Sequence, residues 1–91
     1  MTQMNQNKNP LELLRGEITR TDAELLRLFD QRMELAGQIG KIKAEAGIPV
    51  LDPAREEAVL ANARSVSRHP EAAAEMMKTL MRVSRELQNL K

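Results

Sequence analysis

From Leu11 to Ile42 apolar side chains return on a seven-residue repeat, with Leu11, Ile18, Leu25 and Ile39 at one position and Leu14, Leu28, Leu35 and Ile42 at the other. No proline breaks the run. Its start is marked by Asn9 as a cap, Pro10 at the first helical position and Glu12 placed to complete a capping box. Its end is marked by Gly47, with Pro49 just beyond. The pattern predicts one helix over residues 10–46, which at 1.5 Å per residue spans about 55 Å. A compact chain of this size has a diameter of only about 30 Å. Such a helix cannot be covered within its own monomer, so it must extend into a partner, as in an antiparallel or interlocked dimer.

The rest of the chain reads as two shorter helices. Asp52-Pro53 repeats the cap-then-proline signal and opens a helix over 53–67, with Ala58, Val59 and Ala63 as packing residues. Ser67 to His69 form a break, and Pro70 opens a third helix to about residue 90, striped by Ala73, Met76 or Met77, Leu80, Val83 and Leu87. The chain stops three residues after Gln88, so this helix is expected to be short or frayed at its end. Nothing reads as a strand. The expected fold is all-α, with three helices per chain, one of them very long, in an intertwined homodimer. A disordered tail is expected over residues 1–8 ahead of one domain over 9–91.

Composition narrows the chemistry. The 91 residues include no cysteine and a single histidine, His69, so neither a disulfide nor a thiolate or histidine metal site is expected. Phe29 is the one aromatic residue, which leaves no platform for stacking bases. The 14 basic and 13 acidic residues are interspersed, without a basic stripe for nucleic acid or an anionic membrane. The opening MTQMNQNKNP is polar, so neither a signal peptide nor a membrane span is expected, and a cytoplasmic location follows.

The informative residues are polar ones where the repeat asks for apolar ones. Arg32 falls in the seam set by Leu25 and Ile39, and Thr21 is a second interruption. A guanidinium there either snorkels to water, pairs with a carboxylate such as Asp30 or Glu34, or meets an anionic ligand. Lys43 returns to within about 20° of Arg32's direction and lies about 16 Å along the axis. Ala36, Ile39 and Gly40 lie between them, so the pair is either an anion pocket over a shallow floor or two solvated cations. Arg15 is a surface arginine or one that reaches the partner's pocket. Asp52 and Glu56 suit the cap and first turn of the second helix, while a functional reading makes Arg55 an anion ligand and Glu56 an acceptor for a substrate hydroxyl. Ser84 and Gln88, one turn apart, form a polar helix edge or two neutral hydrogen-bonding groups of a pocket.

The order and spacing of these residues carry more than any one of them. The string NPLELLRGEI, the block LFDQRMELAGQIGKIKAEAGIPVLDPAREEAVL and the ending VSRELQ together resemble the all-α chorismate mutase family over residues 9 to 90. Within them the RMELA and GKIK strings and Pro49, Val50, Asp52, Arg55 and Glu56 are the most specific. The resemblance implies conversion of chorismate to prephenate, in phenylalanine and tyrosine biosynthesis, with no cofactor and no metal. It implies that Arg15 crosses the dimer to a substrate carboxylate and that Arg32 binds the other carboxylate region from within the chain. Lys43 is implied at the ether oxygen and a carboxylate, and Arg55 as a further arginine of the site. Asp52 and Glu56 are implied near the ring hydroxyl, and Ser84 and Gln88 as the pocket residues of the last helix, with Gln88 near the ether oxygen. Two other readings stay open. One is an isochorismate-pyruvate lyase on the same fold, from which Asp52 with Arg55 and Glu56 is expected to differ. The other is a non-enzymatic helical dimerisation module, which leaves Arg32 in the seam unexplained.

Overall fold

The computed structural model describes residues 9–89, and these form three α-helices with no strand among them: α1 Pro10–Ala46, α2 Pro53–Val66 and α3 Pro70–Gln88. The tail expected to be disordered over 1–8, and Leu90 at the expected end of the third helix, lie outside the described residues. Each start is written in local chemistry. Asn9 Oδ1 accepts the Glu12 amide at 2.8 Å ahead of Pro10, and Asp52 Oδ1 accepts the Arg55 amide at 3.1 Å ahead of Pro53. His69 occupies the cap position of α3 without a side-chain capping bond, and Pro70 follows it.

The ends are equally local. Gly47 takes φ of 71°, a conformation that excludes most side chains, and the Ile48 amide returns to the Lys43 carbonyl at 2.8 Å. α2 stops at Val66, one residue before the expected 67, because Ser67 leaves helical geometry while its amide still reaches the Ala63 carbonyl at 3.1 Å. α3 ends at Gln88, short of the expected 90, with Asn89 as its cap residue.

The chain divides into two units, Met1–Arg32 and Met33–Lys91, and α1 contributes to both. The described part of the first unit is a single helical stretch. Its seam residues Leu11, Leu14, Ile18, Leu25 and Leu28 are all exposed, Ile18 to 61%. Thr21, which interrupts the repeat, donates its hydroxyl to the Glu17 carbonyl at 2.9 Å, so it makes no demand on a neighbour.

The second unit holds the buried residues. α2 packs against α3, and the buried set is Ala36 and Gly40 on α1 with Ala74, Met81 and Ser84 on α3. These are small residues apart from Met81, and Leu35, Ile39 and Ile42 of α1 remain exposed, Ile42 to 62%. A core of this size falls short of what a chain of this length needs to stand alone. Among the described residues no helix is long and apolar enough to cross a membrane.

Candidate active site

Lys43 sits in the last turn of α1, where a cation is favoured by the helix dipole. It is half-buried, and its Nζ donates to the Val50 carbonyl at 2.8 Å. The carbonyl of the same residue takes the Ile48 amide, so the connector between α1 and α2 is tied to Lys43 at two points. An ammonium has three protons. The bond to Val50 uses one and fixes the direction of the side chain, which leaves two to offer.

Gln88, the last residue of α3, lies directly over Gly40 of α1. A Cβ placed on Gly40 would stand 2.9 Å from Gln88 Cγ and 3.2 Å from its Cα. Lys43 stands one turn beyond Gly40, on the same face of α1. The Gln88 Oε1 atom is buried and has no hydrogen-bond partner. A buried polar atom without a partner is costly, and such atoms in folded chains call for an explanation.

The second helix brings the carboxylates. Asp52 is exposed and spends Oδ1 on the Arg55 amide, so it does cap α2. Arg55 is exposed. Glu56 is half-buried and its Oε2 takes the guanidinium of Arg85 on α3, in an ion pair whose side chains are 25% and 32% exposed. Ser84 is buried, and its hydroxyl donates to the Leu80 carbonyl at 2.8 Å within α3.

Two anticipated residues belong to the first unit. Arg15 is exposed, with its guanidinium 4.0 Å from the Glu12 carboxylate one turn earlier. Arg32 is half-buried at that unit's end. An open groove of about 440 Å³ runs between α2 and α3, lined by Leu60 and Met81 and by the charged Glu56, Lys78, Arg82 and Arg85. Of the eight anticipated residues it includes only Glu56, so this groove is not lined by Lys43 or Gln88. Among the described residues no group of histidine, aspartate or glutamate is placed to hold a metal ion.

Sequence reasoning missed Arg85 and gave Gly40 only the part of a small floor residue. Arg85 lies on a basic stripe with Lys78 and Arg82, at spacings that share one helix face. That stripe was the available sign that α3 turns cations toward a carboxylate of α2. For Gly40 the sign was a glycine deep in a long helix, where it costs roughly 1 kcal/mol against alanine.

Comparison with known proteins joins these observations. Residues 14–89 match the family described as chorismate mutase type II. The T-protein of Haemophilus influenzae is 38% identical over 72 residues, which are 79% of this chain and 19% of that protein. A bifunctional chorismate mutase/prephenate dehydratase of Aquifex aeolicus is 47% identical over 49 residues, 54% of this chain and 14% of that protein. The chain therefore spans a fifth or less of the length of these two relatives. The structure of a chorismate mutase from Thermus thermophilus superposes with a TM-score of 0.86 at 31% identity, covering 91% of this chain and 98% of that one. The family match begins within α1 and runs through α2 and α3, and the chain belongs to the chorismate mutase type II family.

Proposed function

We propose that this chain is a chorismate mutase that rearranges chorismate to prephenate in aromatic amino acid biosynthesis, as a cytoplasmic homodimer. The observation that carries the reading is the close packing of Gln88 of α3 on Gly40 of α1, one turn before Lys43. One half-buried, tethered ammonium and one neutral amide lie on adjoining turns of packed helices.

The reaction suits such a pair. It is unimolecular and pericyclic, and it asks for no nucleophile. As the C–O bond breaks, negative charge gathers on the ether oxygen. The two remaining protons of Lys43 and the amide donor of Gln88 stabilise that oxygen more in the transition state than in the substrate. The substrate also carries two carboxylates. Arg32 and Arg55 of one chain and Arg15 of the partner hold them by paired N–H groups in the compact conformation that brings the reacting carbons together. Positioning of this kind contributes several kcal/mol toward the barrier. Asp52 and Glu56 take the ring hydroxyl. Glu56 does so with Oε1, since Arg85 holds Oε2, and Ser84 offers its hydroxyl oxygen to a substrate donor.

The dimer rests on exposed apolar surface. Leu11, Leu14, Ile18, Leu25, Leu28, Leu35, Ile39 and Ile42 are each about half exposed or more in the single chain. A second copy laid along α1 covers this seam, each large apolar side chain contributing roughly 1.5–3 kcal/mol when fully buried. The same arrangement brings Arg15 to the partner's pocket.

The test is to incubate the purified chain with chorismate and, separately, with isochorismate, and to measure its mass in solution. Prephenate from a dimer is the expected result. Pyruvate and salicylate from isochorismate would mark the lyase reaction instead, and an inactive dimer would leave only a dimerisation module.

A further inference from the structure

Gly40 is buried in the interior of α1, where glycine is disfavoured relative to alanine. The reason lies on α3. A Cβ on Gly40 would meet Gln88 Cγ at 2.9 Å, Cβ at 3.1 Å and Cα at 3.2 Å. Only the first of these belongs to a part of the side chain that can swing away. The other two are fixed to the α3 backbone, so a methyl group at Gly40 must push the last turn of α3 outward. Gly37, one turn earlier on the same helix, has nothing within 4 Å of its would-be Cβ. The close approach is therefore specific to Gly40.

The side chain held by this contact is the one whose Oε1 is buried without a partner. Lys43, whose Nζ direction is set by the Val50 carbonyl, follows one turn after Gly40. We infer that Gly40 is a positioning residue for the rearrangement: its missing side chain sets how closely α3 settles on α1, and so fixes the reach of the Gln88 amide relative to the Lys43 ammonium. This rests on the reading of Lys43 and Gln88 as the pair that faces the ether oxygen. Gly40 touches no substrate and acts through Gln88 alone.

The test is a double-mutant cycle on the full chain with Gly40→Ala, Gln88→Ala and both together, following kcat, KM and thermal melting. Gly40→Ala is expected to lower kcat by about 10- to 100-fold, the scale of a sub-ångström to ångström misplacement. KM is expected to stay within about threefold, because the arginines are untouched. In the Gln88→Ala background the same glycine substitution is expected to change kcat by less than about twofold, since no amide is left to displace. Gly37→Ala is expected to turn over like the wild type. An equal loss of kcat from Gly40→Ala in both backgrounds would make Gly40 a plain packing residue and overturn the inference. So would wild-type kcat in Gly40→Ala when Gln88→Ala alone is slow. Should Gly40→Ala fail to fold, Gly40→Ala combined with Gln88→Gly removes both Cγ and Cβ from the contact; folding regained there supports the contact with Gln88, and folding still lost counts against. A wild-type chain that yields no prephenate would sink the mutase reading, and this inference with it.

Discussion

The two units of this chain solve the problem of burial in opposite ways. The second brings three helical segments together over small residues, Ala36, Gly40, Ala74 and Ser84, with Met81 as the one large buried side chain. It adds polar ties between elements, from Lys43 to Val50 and from Arg85 to Glu56. The described part of the first is one helical stretch, and its large apolar residues find no cover among the described residues. The difference shows that a strong heptad stripe is not the same thing as a core. The second unit covers part of its apolar surface within itself, while Leu35, Ile39 and Ile42 stay exposed, and the described part of the first buries no large apolar side chain.

The sharpest way to break this contrast is a charge in the seam of the first unit. The double variant Ile18→Glu, Leu25→Glu replaces two side chains that are already exposed in the single chain. Were the contrast false, it would be nearly silent. Loss of the proposed dimer in sedimentation or scattering, and with it of cooperative melting and of activity, is expected because an unpaired carboxylate resists burial. Next in size is Lys43→Ala in the second unit. It is expected to lower kcat by about 10²–10³-fold, the range seen on removing one donor to a developing oxyanion, while leaving the dimer intact. Wild-type turnover in that variant would refute the role given to Lys43.

Smaller effects test the polar ties. Arg85→Ala removes the partner of a half-buried Glu56 and is expected to cost on the order of 1 kcal/mol in denaturant unfolding, in keeping with an ion pair that is partly open to water. No change in stability would show that the pair is not held in solution. The smallest effect belongs to the first unit, where Arg27 holds the Glu24 carboxyl below its ordinary value by hydrogen bonding to it. A carboxyl depressed in the folded state adds stability above its unfolded pKa and loses it as pH falls through the folded one. Stability of the wild type is thus expected to fall slightly more than that of Glu24→Gln as the pH is taken below the usual carboxylate range. Identical acid profiles would mean that the pair contributes nothing.

How much could be read in advance follows the range of each interaction. Helix starts at Asn9-Pro10 and Asp52-Pro53 and the stop at Gly47 were legible because each is decided within a few residues. By its sequence position Asp52 suits a cap or a ligand, and its bond from the Arg55 amide shows the cap. The pairing of Glu56 with Arg85, 29 residues apart, was not legible, because two helices must first pack before either side chain has a partner. The depth of Gly40 against Gln88 is of the same kind. A heptad tells that a face is sought, and it does not tell which backbone comes closest. Ser84 sits between these cases, its burial set by packing and its bond to Leu80 by its own helix.

The tether of Lys43 to the Val50 carbonyl has a consequence for how this sequence can drift. One amine both anchors a connector and, in the proposed reaction, meets the substrate, so a replacement must satisfy two unrelated demands at once. Arginine keeps the charge, yet its flat, longer fork does not reproduce a compact three-proton head. A library randomised at this codon and selected for growth without aromatic amino acids should therefore return lysine almost alone, whereas Arg85, with one task, should admit more company.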